Sequence, residues 1–97
     1  MVIYNPPHPG AFISSIYLEP NGISGRELAS KLNVSVSTIS RVLNGTSRVS
    51  PEMALRLSKT LGRSPESWLA MQDAYDLWLA REKVDLEGVE KLEIAIA

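Results

Sequence analysis

The sequence predicts an all-α domain of five helices over residues 1–83, followed by a short acidic tail, residues 84–97, whose structure the pattern leaves open. Three observations lead there. Apolar residues recur at three- and four-residue spacing through most of the chain, the period of helices that bury one face. Serines placed before such runs, at 24, 35, 50 and 64, divide them into short helices. At 97 residues the chain can bury one modest core and has no room for a second.

Each element has its own signals. Asn5-Pro6-Pro7-His8-Pro9 must be extended, because a residue before proline avoids the helical region. Pro9 then sits in the first turn of a helix, where its missing N–H has no partner to lose. That helix is expected to reach about Leu18, with Phe12, Ile13 and Ile16 facing inward, and to end at Pro20-Asn21-Gly22. Ser24-Gly25-Arg26-Glu27 has the form of a capping box, with Ile23 as its staple. The second helix turns Leu28, Ala29 and Leu32 inward and stops at Asn33, a residue type that tolerates the left-handed conformation. Ser35 caps the third helix, whose apolar face is Val36, Ile39, Val42 and Leu43 and whose stop is Asn44-Gly45. Ser50-Pro51-Glu52 combines a cap, a first-turn proline and an acid at the positive helix end. It opens a fourth helix with Met53, Ala54, Leu57 and Leu61 inside and Gly62 as its close. Ser64-Pro65-Glu66 repeats that opening for a fifth helix running to about Lys83. Beyond it, Leu92, Ile94 and Ile96 alternate as in a strand, while Leu86, Val89 and Leu92 keep helical spacing.

Composition narrows the function. There is no cysteine, hence no disulfide framework, thiol nucleophile or cysteine zinc site. No run of about 18 apolar residues spans a bilayer. Residues 1–7 lack the basic start and apolar core of a signal peptide, so a cytoplasmic protein is expected. The net charge of −1 hides an asymmetry. Residues 1–64 carry seven bases against three acids, a net of +4, and residues 65–97 carry three bases against eight acids, a net of −5. A basic front suits a polyanion, and an acidic back suits a basic partner.

The second and third helices have the features of a helix-turn-helix, in which the second helix of a pair enters the DNA major groove. The crossing needs a small residue, and Ala29 stands there; the turn needs Asn33; an apolar residue must follow it, and Val34 does. Ile39 and Val42 form the inward stripe of the third helix, leaving Ser35, Ser37, Thr38, Ser40, Arg41 and Asn44 outside. That face is polar and free of carboxylates, as a surface against phosphates should be. Hydroxyls suit phosphates or bases, arginine suits guanine, and asparagine suits adenine. The competing reading of the serines is an ordinary solvated helix face.

The segment resembles the Cro/repressor-type, or Xre-like, helix-turn-helix superfamily. His8-Pro9-Gly10, Ala54-Leu55-Arg56-Leu57, Ser64-Pro65-Glu66-Ser67-Trp68-Leu69 and Gln72-Asp73-Ala74-Tyr75-Asp76-Leu77-Trp78 are similar to the HigA family of antitoxins, over roughly residues 8–83. The resemblance implies a homodimer that binds operator DNA, represses its own operon and neutralises a small basic toxin that cuts mRNA. Its recognition positions fall on Ser35, Val36, Ser37, Ser40, Arg41 and Asn44. Where family members carry bulkier polar or basic residues, this chain has Val36-Ser37 and Thr46.

The fifth helix gives a separate reason to expect a partner. Its apolar residues cover roughly 200° of arc, about twice what one buried face needs. Trp68 is expected in the core, and Tyr75, Trp78 and Leu79 form the candidate dimer or partner interface. The charge asymmetry places toxin contact on the acidic C-terminal part, although helix 1 and the lead around His8 are an alternative. His8, the one histidine, has no nucleophile partner in view and reads as a loop or capping residue, and Asp73 and Asp76 read as solvated acids. With no metal-ligand cluster, phosphate-cradling loop or catalytic set, neither enzyme nor cofactor is expected. A plain repressor without a toxin would share the DNA-binding features.

Overall fold

The computed structural model describes residues 5–95. It contains α1 (Pro9–Ile13), α2 (Gly25–Leu32), α3 (Val36–Leu43), α4 (Pro51–Leu61) and α5 (Pro65–Lys83), with no strand among the described residues. Residues 84–95 form neither helix nor strand, which leaves both readings of that stretch without support; the Ile96 end of the alternating pattern lies outside the described residues.

The caps work as the serines indicate. Ser24, Ser35, Ser50 and Ser64 each accept a bond from the backbone N–H three residues on, at 3.0–3.1 Å. Each satisfies a donor that the first helical turn leaves without a partner. His8 does the same for α1, accepting from Gly10 N–H at Nδ1, 2.9 Å away.

The first helix departs from expectation. After Ile13 it widens into a π-helical turn, Ser14–Leu18, and then tightens into a 3-10 turn, Glu19–Asn21. Pro20 explains this: it has no N–H, and its ring would press on the carbonyl four residues back in a regular α-helix. The widened turn closes with Glu19 N–H on the Ser14 carbonyl, five residues back. The inward positions become Ile13 and Leu18, five residues apart, and Ile16 is turned out to 51% exposure. The expectation that Ile16 faces inward is therefore wrong.

One core joins all five helices. Ile13, Ala29, Ile39, Ala54, Leu57 and Trp68 are each at most 1% exposed. Trp68 donates its indole N–H to the Gly62 carbonyl at 3.0 Å. Gly10 marks the tightest crossing. A Cβ there would lie 2.0 Å from the Val42 carbonyl oxygen, so α1 abuts the end of α3 as only a glycine allows.

Candidate nucleic-acid interface

The turn between α2 and α3 is a Schellman motif. Asn33 takes the left-handed conformation, φ 59°, its N–H bonds to the Ser30 carbonyl, and Val34 N–H bonds to the Ala29 carbonyl at 3.0 Å. Val34 is half-buried against the core. Arg56 secures the turn from α4. Its Nη1 donates to the Leu32 and Asn33 carbonyls at 2.8 and 3.3 Å, while Glu52 holds the guanidinium by Nε and Nη2 at 3.1 Å. This brace spans more than twenty residues of sequence, and no local pattern announces it.

On α3, Ile39 and Val42 are buried. Val36, Ser40, Asn44, Ser37 and Arg41 are all exposed, in that angular order, over an arc of about 140°. Val36, read from the sequence as both apolar-face and recognition residue, is 41% exposed and lies on the outer arc. At the first position of the helix it precedes the contact with α2 and has no core to meet. Ser35 is exposed at the cap, and Thr38 is half-buried on the flank. Their hydroxyls share a hydrogen at 2.8 Å. Arg41 donates from Nη1 to Ser37 Oγ at 3.1 Å. The loop after α3 hangs on the Arg41 carbonyl, which accepts from the N–H groups of Thr46 and Ser47 and from the Thr46 hydroxyl. No acid occurs between Glu27 and Glu52, so the whole exposed face of α3 and its flanking loop is free of carboxylate.

Three bases of the basic front are engaged inside the fold. Besides Arg56, Arg63 stacks over Phe12 and Trp68 at 5.2 and 5.7 Å, and its Nε donates to Ser67 Oγ. Arg48 holds Asp76 by two hydrogen bonds of 2.8 and 2.6 Å and passes 3.8 Å from Asp73. Asp76 is therefore not the solvated acid the sequence suggested. Its other oxygen accepts from Gln72 Nε2, and the buried Gln72 accepts from Val49 N–H at 2.8 Å. This chain of bonds fastens the loop behind α3 to α5.

His8 lies where these parts meet. It caps α1, its ring stands edge-on to Tyr75 at 5.1 Å, and Gly45 of the loop after α3 lies against it. Burial pushes its pKa below the ordinary value, outweighing a backbone hydrogen bond to Ser47 and the charge of Asp76, which both raise it. At 8% exposure it offers little to an outside partner. The interface candidates Tyr75, Trp78 and Leu79 are all half-buried, and their neighbour Leu77 is 52% exposed. Among the described residues no helix is long and apolar enough to cross a membrane.

Comparison with known proteins places this geometry. The helix-turn-helix family profile matches residues 16–68. An uncharacterised helix-turn-helix-type transcriptional regulator of Escherichia coli K12, YddM, is 39% identical over 95% of this chain and 97% of its own length. An addiction-module antidote protein of the HigA family from Coxiella burnetii superposes with a TM-score of 0.85 at 32% identity, over 93% of this chain and all of that one. The Pseudomonas aeruginosa antitoxin HigA, solved with the higBA promoter, superposes with a TM-score of 0.75 at 31% identity, over 79% of this chain and 84% of that one.

Proposed function

The chain belongs to the helix-turn-helix family, and within it to the HigA antitoxins; from that membership we propose that it is a homodimeric, cytoplasmic antitoxin. It binds operator DNA through α3, represses its own operon and neutralises a small basic toxin that cuts mRNA. The carrying observation is the exposed, carboxylate-free arc of Val36, Ser37, Ser40, Arg41 and Asn44 on a helix fixed by a Schellman turn and an arginine brace. That the Pseudomonas relative was solved with promoter DNA supports a DNA-binding role for this chain. Ser35 and Thr38 flank it at the helix start, where hydroxyls suit phosphates.

The dimer surface is assigned to Tyr75, Trp78 and Leu79 with the exposed Leu77 beside them. The toxin is assigned to the acidic C-terminal part. An mRNA-cutting protein must be basic to hold its substrate, and an acidic surface steers towards it. Arg48 occupies Asp76, so the exposed Glu66, Asp73 and Glu82 are the acids of α5 that face outward. The transcriptional regulator among the relatives favours a second reading, a repressor without a toxin.

Copurification from native extract separates the two. A small basic protein should come down with the tagged chain, and Glu66→Lys with Glu82→Lys should weaken that capture and its salt dependence while operator binding survives. Capture of operator DNA alone, with no small basic protein, leaves the plain repressor. Failure to retain any specific DNA would refute both readings.

A further inference from the structure

Away from α3, the end of the first helix, α2 and the C-terminal half of α4 enclose a groove of 760 Å³. Its walls include Leu18, Ile23, Leu28, Leu55 and Leu61, and Leu55 is 62% exposed. Lys31 and Lys59 stand on its rim, and among the described residues neither makes an ion pair. The same chain exposes a segment of the opposite character. Val84, Leu86, Val89, Leu92 and Ile94 are 56–75% exposed, with Asp85, Glu87, Glu90 and Glu93 between them. Apolar surface left in water on both a groove and a tail marks places where binding is favourable.

We propose that the tail of one copy, residues 84–95, lies in this groove of a second copy, and reciprocally. The inference rests on the homodimer reading above and adds where the tail goes. Leu86, Val89 and Leu92 supply the apolar contact, and Glu87, Glu90 and Glu93 meet Lys31 and Lys59 at the rim. The chain's own tail is badly placed for this. Leu61, on the groove wall, is joined to Pro65 by three residues, and the nineteen residues of α5 then carry the chain about 28 Å away. The tail's twelve described residues reach at most about 40 Å when fully extended, so returning would consume about two thirds of them. A second copy can present the whole segment.

The absence of native cysteine makes a crosslinking test clean. Full-length Leu55→Cys protein is mixed with full-length Leu86→Cys, Val89→Cys or Leu92→Cys protein and oxidised. All four positions are exposed, so the fold should tolerate each change. With one variant isotopically labelled, at least one mixture should give a disulfide-linked species whose mass is that of one labelled plus one unlabelled chain, in excess over the homodisulfides each variant forms when oxidised alone. The doubly substituted chain should give the same intermolecular species, and removal of residues 84–97 should weaken dimerisation at least about tenfold. A crosslink confined to one chain, or none in any mixture while light scattering shows a dimer, would overturn the tail assignment and leave the dimer standing. A monomer by light scattering in the unmodified protein overturns both.

Discussion

At the scale of single residues, Gly10 and His8 join the first helix to the DNA-reading part. Gly10→Ala forces a methyl against the Val42 carbonyl and the Leu43 backbone. Backbone cannot swing aside as a side chain can, so the loss should be about 1–3 kcal/mol. In a domain of this size that corresponds to a melting temperature lower by several degrees, at about 4–8 °C per kcal/mol. Gly25→Ala is the control: its new Cβ meets only the Leu43 Cδ1 at 3.3 Å, the end of a flexible side chain, and the change should be much smaller. Equal losses at both positions would contradict the close crossing. His8 adds a pH dependence. Its folded pKa lies below the ordinary 6.5, chiefly because burial disfavours the charged ring. As pH falls, the unfolded chain takes up the proton first, so stability present above about 6.5 is lost as pH drops from there towards the folded value. Protonation at Nδ1 would also replace the acceptor of the Gly10 bond with a donor. His8→Asn keeps a cap acceptor and cannot titrate. Its melting temperature should fall less between about pH 7 and 5 than that of the unaltered protein; parallel curves would take His8 out of the acid response.

At the scale of elements, what was legible was local. Four serine caps, the left-handed Asn33, the Gly62 stop and the extent of α5 all follow from groups within a few residues of each other. The π turn was not legible, because its cause, Pro20, sits after the run whose period it alters. Nor were Arg56, Arg48 and Gln72, whose partners lie more than twenty residues away. In the sequence these are ordinary polar residues of helix and loop, and only packing brings them to their acceptors. Arg56 and Arg63 show the consequence for charge counting: a base tied to backbone carbonyls or stacked on rings is not available to a phosphate. Arg41 is available. Its single side-chain bond is to Ser37, an exposed neighbour one turn away that water or a base can replace. Arg41→Ala should weaken specific operator binding by about 1–3 kcal/mol and relax discrimination at one base pair if the guanidinium forks onto guanine. A uniform fall on all sequences, with the salt slope reduced by about one, would mean phosphate contact instead. No change in either measurement removes Arg41 from the DNA face.

At the scale of the whole molecule, a chain with a net of +4 in front and −5 behind is held together across the seam by Arg48 on Asp76 and Val49 on Gln72. The seam connects the loop behind α3 to the middle of α5, where Asp76 lies two residues from Trp78 and three from Leu79. The position of α3 is therefore set by the same helix to which the dimer surface is assigned. This has a consequence for the operator. One short helix in one groove contacts few base pairs, and α3 carries a single exposed arginine with hydroxyls and one terminal asparagine around it. Such a face gives modest affinity alone, and two copies on one rigid dimer multiply it through their high effective concentration. A two-fold dimer that reads one face of the duplex must set its recognition helices about 34–36 Å apart, one turn of DNA. The operator should accordingly be an inverted repeat whose half-site centres lie about 10 base pairs apart. Inserting about five base pairs between the half-sites rotates one to the opposite side of the duplex and should reduce affinity to that of a single half-site. Inserting a full turn keeps the facing but doubles the separation, and should fail equally, because α5 fastened through Arg48, Asp76 and Gln72 leaves α3 no freedom to follow. Footprinting on the three spacings decides this: undiminished protection at either wrong spacing, or a single asymmetric site filled by a monomer, would show that the two recognition helices are not rigidly paired.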